Sequence, residues 1–277
     1  MIKNIPKKLF MLLKKEKKVP VVEVARESDL LSRKVTLITG GSGGIGRTIA
    51  RQIIAAGGKV ILSGRNEKTL NEICEALGCV EAVRYIRMDF DRIGSFEDRL
   101  RVATELFPEK RIDILVNCAG VIDHHGFLDV SEEVYDRVMD TNLKGTYFMC
   151  QAFSKYLIDN GMKGHILNLS SSSALRPAST PYSISKWGIR GLTQGLADVL
   201  LPYGIVVNAI GPGPTATEML GVGEGDTIYH PTNPSRRYAT PEEIANLAVL
   251  LISGAGDMVV GDTFYITGGS GITSLHG

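Results

Sequence analysis

Residues 35–46 read VTLITGGSGGIG, a short run rich in β-branched residues that breaks into a cluster of glycines. A helical pattern, Ile45–Ala56, follows at once. Glycines between a strand and a helix serve three physical needs: a tight turn, close approach of backbone to a pyrophosphate, and close helix–strand packing. The helix opening there presents unpaired N–H groups and the positive end of its dipole to an anion. A glycine-rich turn is by itself often no more than a turn. Placed first in a series of strand–helix units, Gly40, Ser42, Gly44, Ile45 and Gly46 read as a phosphate cradle for a dinucleotide.

The series continues downstream. Strand-like runs at Lys59–Ser63, Val83–Met88, Ile112–Cys118, His165–Leu169, Ile205–Ala209 and Thr263–Thr267 alternate with helical patterns. The helices fall at Glu67–Leu77, Phe96–Phe107, within Ser131–Asp159, at Ser183–Leu200 and at Pro241–Ile252. Strands separated by crossover-length helices imply βαβ units and a parallel sheet buried on both faces. The expected fold is α/β, a Rossmann-type doubly wound sheet of seven mostly parallel strands with helices on both faces. No repeat or low-complexity linker interrupts the pattern, so residues 34–277 read as a single dinucleotide-binding and catalytic domain. Residues 1–33 precede it as a basic arm, partly helical.

Composition bears on partners. The chain has 277 residues, 44% of them apolar, and a formal net charge of +1. That suits a sizeable core and gives the whole molecule no electrostatic case for nucleic acid. Residues 1–18 hold seven lysines and one glutamate, which leaves the remainder near −5. Ile5, Leu9, Leu12 and Leu13 lie among those lysines at helical spacing, a short basic amphipathic helix expected to rest on the chain's own domain or on a neighbouring subunit. So short a helix without Trp or a second anchor binds lipid weakly, which disfavours membrane contact. Cys74, Cys79, Cys118 and Cys150 form no CxxC pair and no metal-ligand spacing, the pattern of free thiols in a reducing compartment with no metal. No apolar run reaches the ~20 residues that cross a bilayer, and the basic start lacks a cleavage signal. The cytoplasm is the expected location.

The end of the second strand bears on the cofactor. Dinucleotide folds place an acidic residue there, about 20 residues past the glycines, to bind the ribose hydroxyls of NAD. This chain has Gly64-Arg65-Asn66. Without a carboxylate nothing repels a 2′-phosphate, and Arg65 can pair with one. NADP(H) is therefore preferred, with NAD(H) left open because Gly43 supplies no second basic residue.

Tyr182-Ser183-Ile184-Ser185-Lys186 sets a phenol and an ammonium one helical turn apart on one face. A free tyrosine titrates near pH ~10 and is a poor base at neutrality. A fixed cation beside it favours the phenolate, and a phenol so tuned can move the proton that accompanies hydride transfer. Such a pair on an isolated helix is usually surface decoration; here the strand His165–Leu169 runs into four serines, 170–173, at the end of a sheet where ligands bind.

These motifs together resemble the short-chain dehydrogenase/reductase family in its single-domain form, over nearly all of the chain from residue 34. The resemblance rests on TGGSGGIG at 39–46, Asp89, NCAG at 117–120 and Asn142 in DTNLKG, then the serine run, YSISK at 182–186, NAIGPGPTAT at 208–217, RYATPEEIA at 237–245 and TGG at 267–269. It implies that Gly40, Gly44 and Gly46 shape the pyrophosphate turn, with backbone from Ile45, and that Asp89 lies beside the adenine. Asn117 would tie the fourth strand to its neighbours, and Ala119 and Gly120 would leave room for the cofactor. Asn142 would hold a water in a proton relay, Ser171 would bond the substrate oxygen, and Tyr182 would be the acid/base. Lys186 would grip the nicotinamide ribose and lower the tyrosine's pKa. Thr217 and the backbone after Pro212-Gly213, with Thr215 nearby, would meet the carboxamide.

Two positions depart from the family pattern. The usual second asparagine of the NNAG turn is Cys118, and Ser171 lies 11 residues before Tyr182, about two closer than the family habit. Either the loop between them is trimmed or Ser170 or Ser172 supplies the hydroxyl. His124 and His125 read as solvent-facing, Met219–Arg237 as a substrate lid, and Trp187 as packing. The implied activity is an NADP(H)-dependent oxidoreductase that interconverts a small carbonyl compound and a secondary alcohol (a sugar, polyol, steroid or similar substrate), working as a homotetramer or homodimer. The alternatives are a 3-oxoacyl-thioester reductase and, from another class, a non-catalytic NADPH-binding regulator.

Overall fold

The computed structural model describes residues 29–223 and 226–274, so the basic helix expected at residues 1–18 lies outside the described residues. Seven strands, β1 (Val35–Thr39), β2 (Lys59–Gly64), β3 (Val83–Arg87), β4 (Ile114–Asn117), β5 (Gly164–Leu169), β6 (Ile205–Pro212) and β7 (Thr263–Ile266), form one sheet in the order β3-β2-β1-β4-β5-β6-β7. Every pairing is parallel. The order reverses at β1, whose Thr39 stands opposite Ser63 on one side and Asn117 on the other. A crevice opens at the carboxyl ends of strands at such a reversal.

Among the described residues seven α-helices cover the sheet: α1 (Gly44–Ala55), α2 (Glu67–Leu77), α3 (Phe96–Thr104), α4 (Glu132–Met139), α5 (Gly145–Asp159), α6 (Pro181–Leu200) and α7 (Pro241–Ile252). Strand residues alternate between two cores. Ile38, Val60, Leu62 and Val116 pack with Ile49 and Ile53 of α1, Leu70 of α2 and Ala248 of α7. Leu37, Ile61, Leu115 and Ile166 pack with Phe96 of α3, Phe153 of α5 and Leu200 of α6. Each fully buried Leu, Ile or Phe contributes about 1.5–3 kcal/mol, so both faces must stay covered. Leu31, read from the sequence as part of the arm, is fully buried in the first core, and its N–H bonds the Ala56 carbonyl at 2.9 Å.

Two features differ from the sequence expectation and shape the crevice. The long helical stretch within 131–159 is divided by a π-turn over Asp140–Lys144 that contains Asn142. β6 runs on through Gly211 and Pro212, because β7 pairs with those residues.

α7 starts on a reciprocal cap. Thr240 Oγ1 accepts from the Glu243 N–H at 3.4 Å, and the Glu243 carboxylate accepts from the Thr240 N–H at 2.9 Å. Arg237 grips the same carboxylate through both guanidinium nitrogens at 2.8 and 2.6 Å. Arg237 first, and the Thr240 N–H second, hold the Glu243 carboxyl down at about 2. A depressed carboxyl stabilises the fold at neutral pH, and this contribution is lost as pH falls from the ordinary 4.5 toward 2. Thr240→Ala is expected to lower the unfolding free energy at neutral pH by about 1 kcal/mol, measured by urea denaturation; an unchanged midpoint would contradict the role given to the cap.

Candidate active site

At the end of β1 the chain turns with Gly40 at φ +62°, and a Cβ there would sit 2.7 Å from the backbone of Ala119. At Gly46 a Cβ would meet the Gly40 carbonyl oxygen at 2.7 Å. Both positions therefore exclude any side chain. α1 begins with no side-chain cap and no acidic residue in its first turn. Its first N–H groups are consequently left without a side-chain cap among the described residues, the arrangement that receives a phosphate.

From this turn the cleft runs in two directions. One half is lined by Gly40, Ser42, Gly64, Arg65, Asp89, Ala119 and Gly120. Arg65 is exposed at the tip of β2 and, among the described residues, makes no ion pair. The Asp89 carboxylate accepts from the Asp91 N–H at 3.2 Å. Asn117, expected among the cofactor-binding residues, lies beneath the cleft and lines neither half. It is buried, and its amide donates to Asn168 Oδ1 at 2.9 Å while Asn168 donates to Thr193 Oγ1 at 3.1 Å. This polar chain ties β4 to β5 and β5 to α6.

The other half is lined by Ile45, Ser170, Ser171, Tyr182, Lys186, Pro212, Gly213, Thr215 and Thr217. Pro181 opens α6 on a reciprocal cap between Thr180 and Ser183, which puts Tyr182 in the first turn and Lys186 one turn later. Lys186 is buried; its ammonium donates to the Leu169 carbonyl at 2.8 Å and stands 5.6 Å from the centroid of the Tyr182 ring. The extended β6 delivers Pro212 and Gly213, with the Gly213 N–H bonded to the Ile266 carbonyl at 2.8 Å.

Of the three serines left open by the sequence, Ser171 is the one placed against Tyr182, in hydrogen-bonding reach of the phenol. Ser170 spends its hydroxyl on the Lys186 carbonyl at 3.0 Å. Ser172 does not line the cleft and belongs to a 3₁₀ turn, Ser172–Leu175, that takes up the short spacing before Tyr182. Asn142 is buried, with its amide donating to the Val121 carbonyl at 2.9 Å and to Ser185 Oγ at 3.2 Å and accepting from the Val121 N–H at 2.8 Å.

One electrostatic expectation is reversed. Tyr182 was expected to be lowered by Lys186, yet burial raises its pKa above the ordinary value, and the bond from Ser171 only partly counters this. The ammonium is itself costly here: burial brings Lys186 down to about 8. A cation that burial makes hard to keep charged gives the phenol little help.

Cys118, read only as a departure from the family turn, lines both halves of the cleft, as does Met219 of the expected lid; Leu220 of that lid walls the catalytic half together with Val121, Ile122 and Leu169, which sequence reading passed over. Burial pushes the Cys118 thiol up to about 12. Apolar walls carry no motif; a backbone position after a strand is their only signal. His124 and His125 are exposed, as expected.

Lys186 yields a pH prediction. A cation depressed in the fold is a penalty borne in full below pH about 8 and relieved as pH rises toward 10.5, because the unfolded chain binds more protons in that window. Between pH about 8 and 9, before the raised thiols of Cys118 and Cys150 begin to count against the fold, urea unfolding of the cofactor-free protein is expected to show stability rising and Lys186→Met to remove the rise; equal slopes would contradict it.

Known proteins share this fold. The short chain dehydrogenase family model matches residues 34–224. Galactitol 2-dehydrogenase of Agrobacterium fabrum is 34% identical over 255 residues, covering 87% of this chain and 98% of that protein. Acetoacetyl-CoA reductase of an Acinetobacter species is 36% identical over 245 residues, covering 86% and 97%. The crystal structure of an actinorhodin polyketide ketoreductase variant with NADPH superposes with a TM-score of 0.79 at 27% identity, covering 87% of this chain and 98% of that one. Sequence and fold agree along almost the whole length, and the protein belongs to the short-chain dehydrogenases, NAD(P)(H)-binding oxidoreductases that act on an alcohol or its carbonyl counterpart.

Proposed function

We propose that the protein is an NADP(H)-preferring reductase of a small carbonyl compound, reversibly a secondary-alcohol dehydrogenase, with Tyr182 as its acid/base. The observation that carries this is the convergence of Ser171, Tyr182 and Lys186 in one cleft half whose other walls are mostly apolar. The cleft suits a dinucleotide: α1 opens uncapped, and a Cβ on Gly120 would come within 3.3 Å of Asn142 Oδ1 and 3.7 Å of Lys186 Nζ, so bare backbone leaves the passage between the halves open. Bound there, the nicotinamide supplies the hydride.

The chain's own groups supply the rest. Ser171 donates a hydrogen bond to the substrate oxygen, and Tyr182 delivers the proton to it or takes it back. A phenol held above its ordinary pKa by burial keeps its proton at neutrality, which suits the acid role in reduction. Lys186 would hold the nicotinamide ribose hydroxyls. Asn142, its amide engaged with Val121 and Ser185, is a positioning residue that locks the β4 turn to α6. Gly40, Ser42, Gly44, Ile45 and Gly46 cradle the pyrophosphate; Asp89, Ala119 and Gly120 border the adenosine half; Pro212, Gly213, Thr215 and Thr217 border the carboxamide. Arg65, without an ion pair among the described residues, favours a 2′-phosphate.

A second reading, a 3-oxoacyl-thioester reductase, is favoured by the apolar walls and by the likeness to acetoacetyl-CoA reductase. Self-association through α5 and α6 is also inferred, since Tyr147, Ile158, Ile184 and Val199 are exposed along them. The four free cysteines suit a reducing cytoplasm.

Following NADPH and NADH absorbance across sugars, ketones, steroids and acyl-thioesters decides the substrate class; acetoacetyl-thioester turnover alone would select the second reading. Tyr182→Phe is expected to lower kcat by about 10²–10⁴-fold with NADPH binding kept, and unchanged turnover would defeat the assignment. Arg65→Gln is expected to weaken NADPH about 10- to 100-fold while leaving NADH untouched; equal losses for both cofactors would sink the preference.

A further inference from the structure

We propose that Trp187 and Arg190, on the part of α6 that lies outside the cleft, are positioning residues that hold the Ser171 hydroxyl against Tyr182 by clamping the far end of the serine turn. The proposal deepens the assignment of Ser171 and Tyr182 made above and rests on it.

Ser171 does not fix itself. Its Oγ accepts from the Ser173 N–H at 3.1 Å and bonds the Ser173 hydroxyl at 3.2 Å, so its place is inherited from the turn Ser172–Leu175. A single 3₁₀ turn has poor hydrogen-bond geometry and little stability of its own. The chain beyond it, Arg176–Ser179, is exposed. Beside the bond from Arg176 Nη2 to Ser270 Oγ at 2.7 Å, two side chains of α6 restrain the turn. Trp187 Nε1 donates to the Arg176 carbonyl at 2.8 Å, and Arg190 Nη1 donates to the Ala174 carbonyl at 3.2 Å. The Arg190 guanidinium lies 5.3 Å from the centroid of the Trp187 ring, so each clamp steadies the other.

The same helix grips the chain ahead of Ser171. Ser170 Oγ bonds the Lys186 carbonyl, and Lys186 Nζ bonds the Leu169 carbonyl. Ser171 is thus held from both sides by one rigid element, the element that carries Tyr182. The indole stays 41% exposed, so burial alone does not explain it; its N–H bond to the turn does. A side chain outside the cleft can matter this much because a shift of about 1 Å at a reacting group costs about 10²-fold in rate.

The test is a mutant cycle on the full chain with a substrate identified by the NADPH assay. Trp187→Phe keeps an aromatic ring, though a smaller one, and removes the N–H. It is expected to lower kcat about 10- to 100-fold with the NADPH dissociation constant and the unfolding midpoint unchanged. In a Ser171→Ala background the same substitution is expected to cost nothing further, because the group it positions is gone. Arg190→Gln is expected to behave likewise, with Arg190→Lys recovering part of the rate, which keeps the test available should Trp187→Phe not fold. Unchanged kcat in the single variants, or an equal fold-loss with and without Ser171, would overturn the proposal. Tyr182→Phe reports separately: full turnover there removes the acid/base assignment itself, whatever the clamp variants do.

Discussion

An ammonium cut off from water must be given oxygen, and Lys186 finds it in the main-chain carbonyl that ends β5. Much of the active half follows from that bond. It fixes where α6 lies against the sheet, and therefore where the first turn of α6 holds its phenol. It also binds the chain just ahead of the serines. The reversal of strand order at β1 opens the crevice, and the bond across it determines which side chains converge there.

The sheet and its neighbours support this arrangement with polar groups that never reach the cleft. Asn117, Asn168 and Thr193 form a buried relay of amides and a hydroxyl that joins β4, β5 and α6. Asn142 does similar work from the π-turn, a local irregularity of the kind often found at functional sites. Buried polar groups of this sort are costly when unpaired, so each fixes its partner's place as well as its own.

Much of the fold was legible because its signals are local. The strand runs alternate with helical periods, and α2 and α7 fall on the residues their patterns indicate. The π-turn was not legible, since the apolar pattern through Ser131–Asp159 continues across it. The extension of β6 to Pro212 depends on pairing with β7, which is a tertiary matter. At the site, Tyr182 and Lys186 announce themselves by residue type and spacing. The choice among three adjacent serines rested on which way a short turn points them. The apolar walls are set by the ends of strands, where any of several residues would serve. The phenol's electrostatics were misread because a spacing of four residues says nothing about the burial of both partners.

Cys118 stands where the two halves of the cleft meet, in the place of an asparagine in the family's turn. Alkylating and oxidising reagents attack the thiolate, and a sulfur whose proton leaves only near pH about 12 offers almost none of it at physiological pH. The most centrally placed of the four sulfurs is thus chemically quiet. Electrophiles or peroxide reaching this protein would meet the exposed Cys79 first, a residue that does not line the cleft.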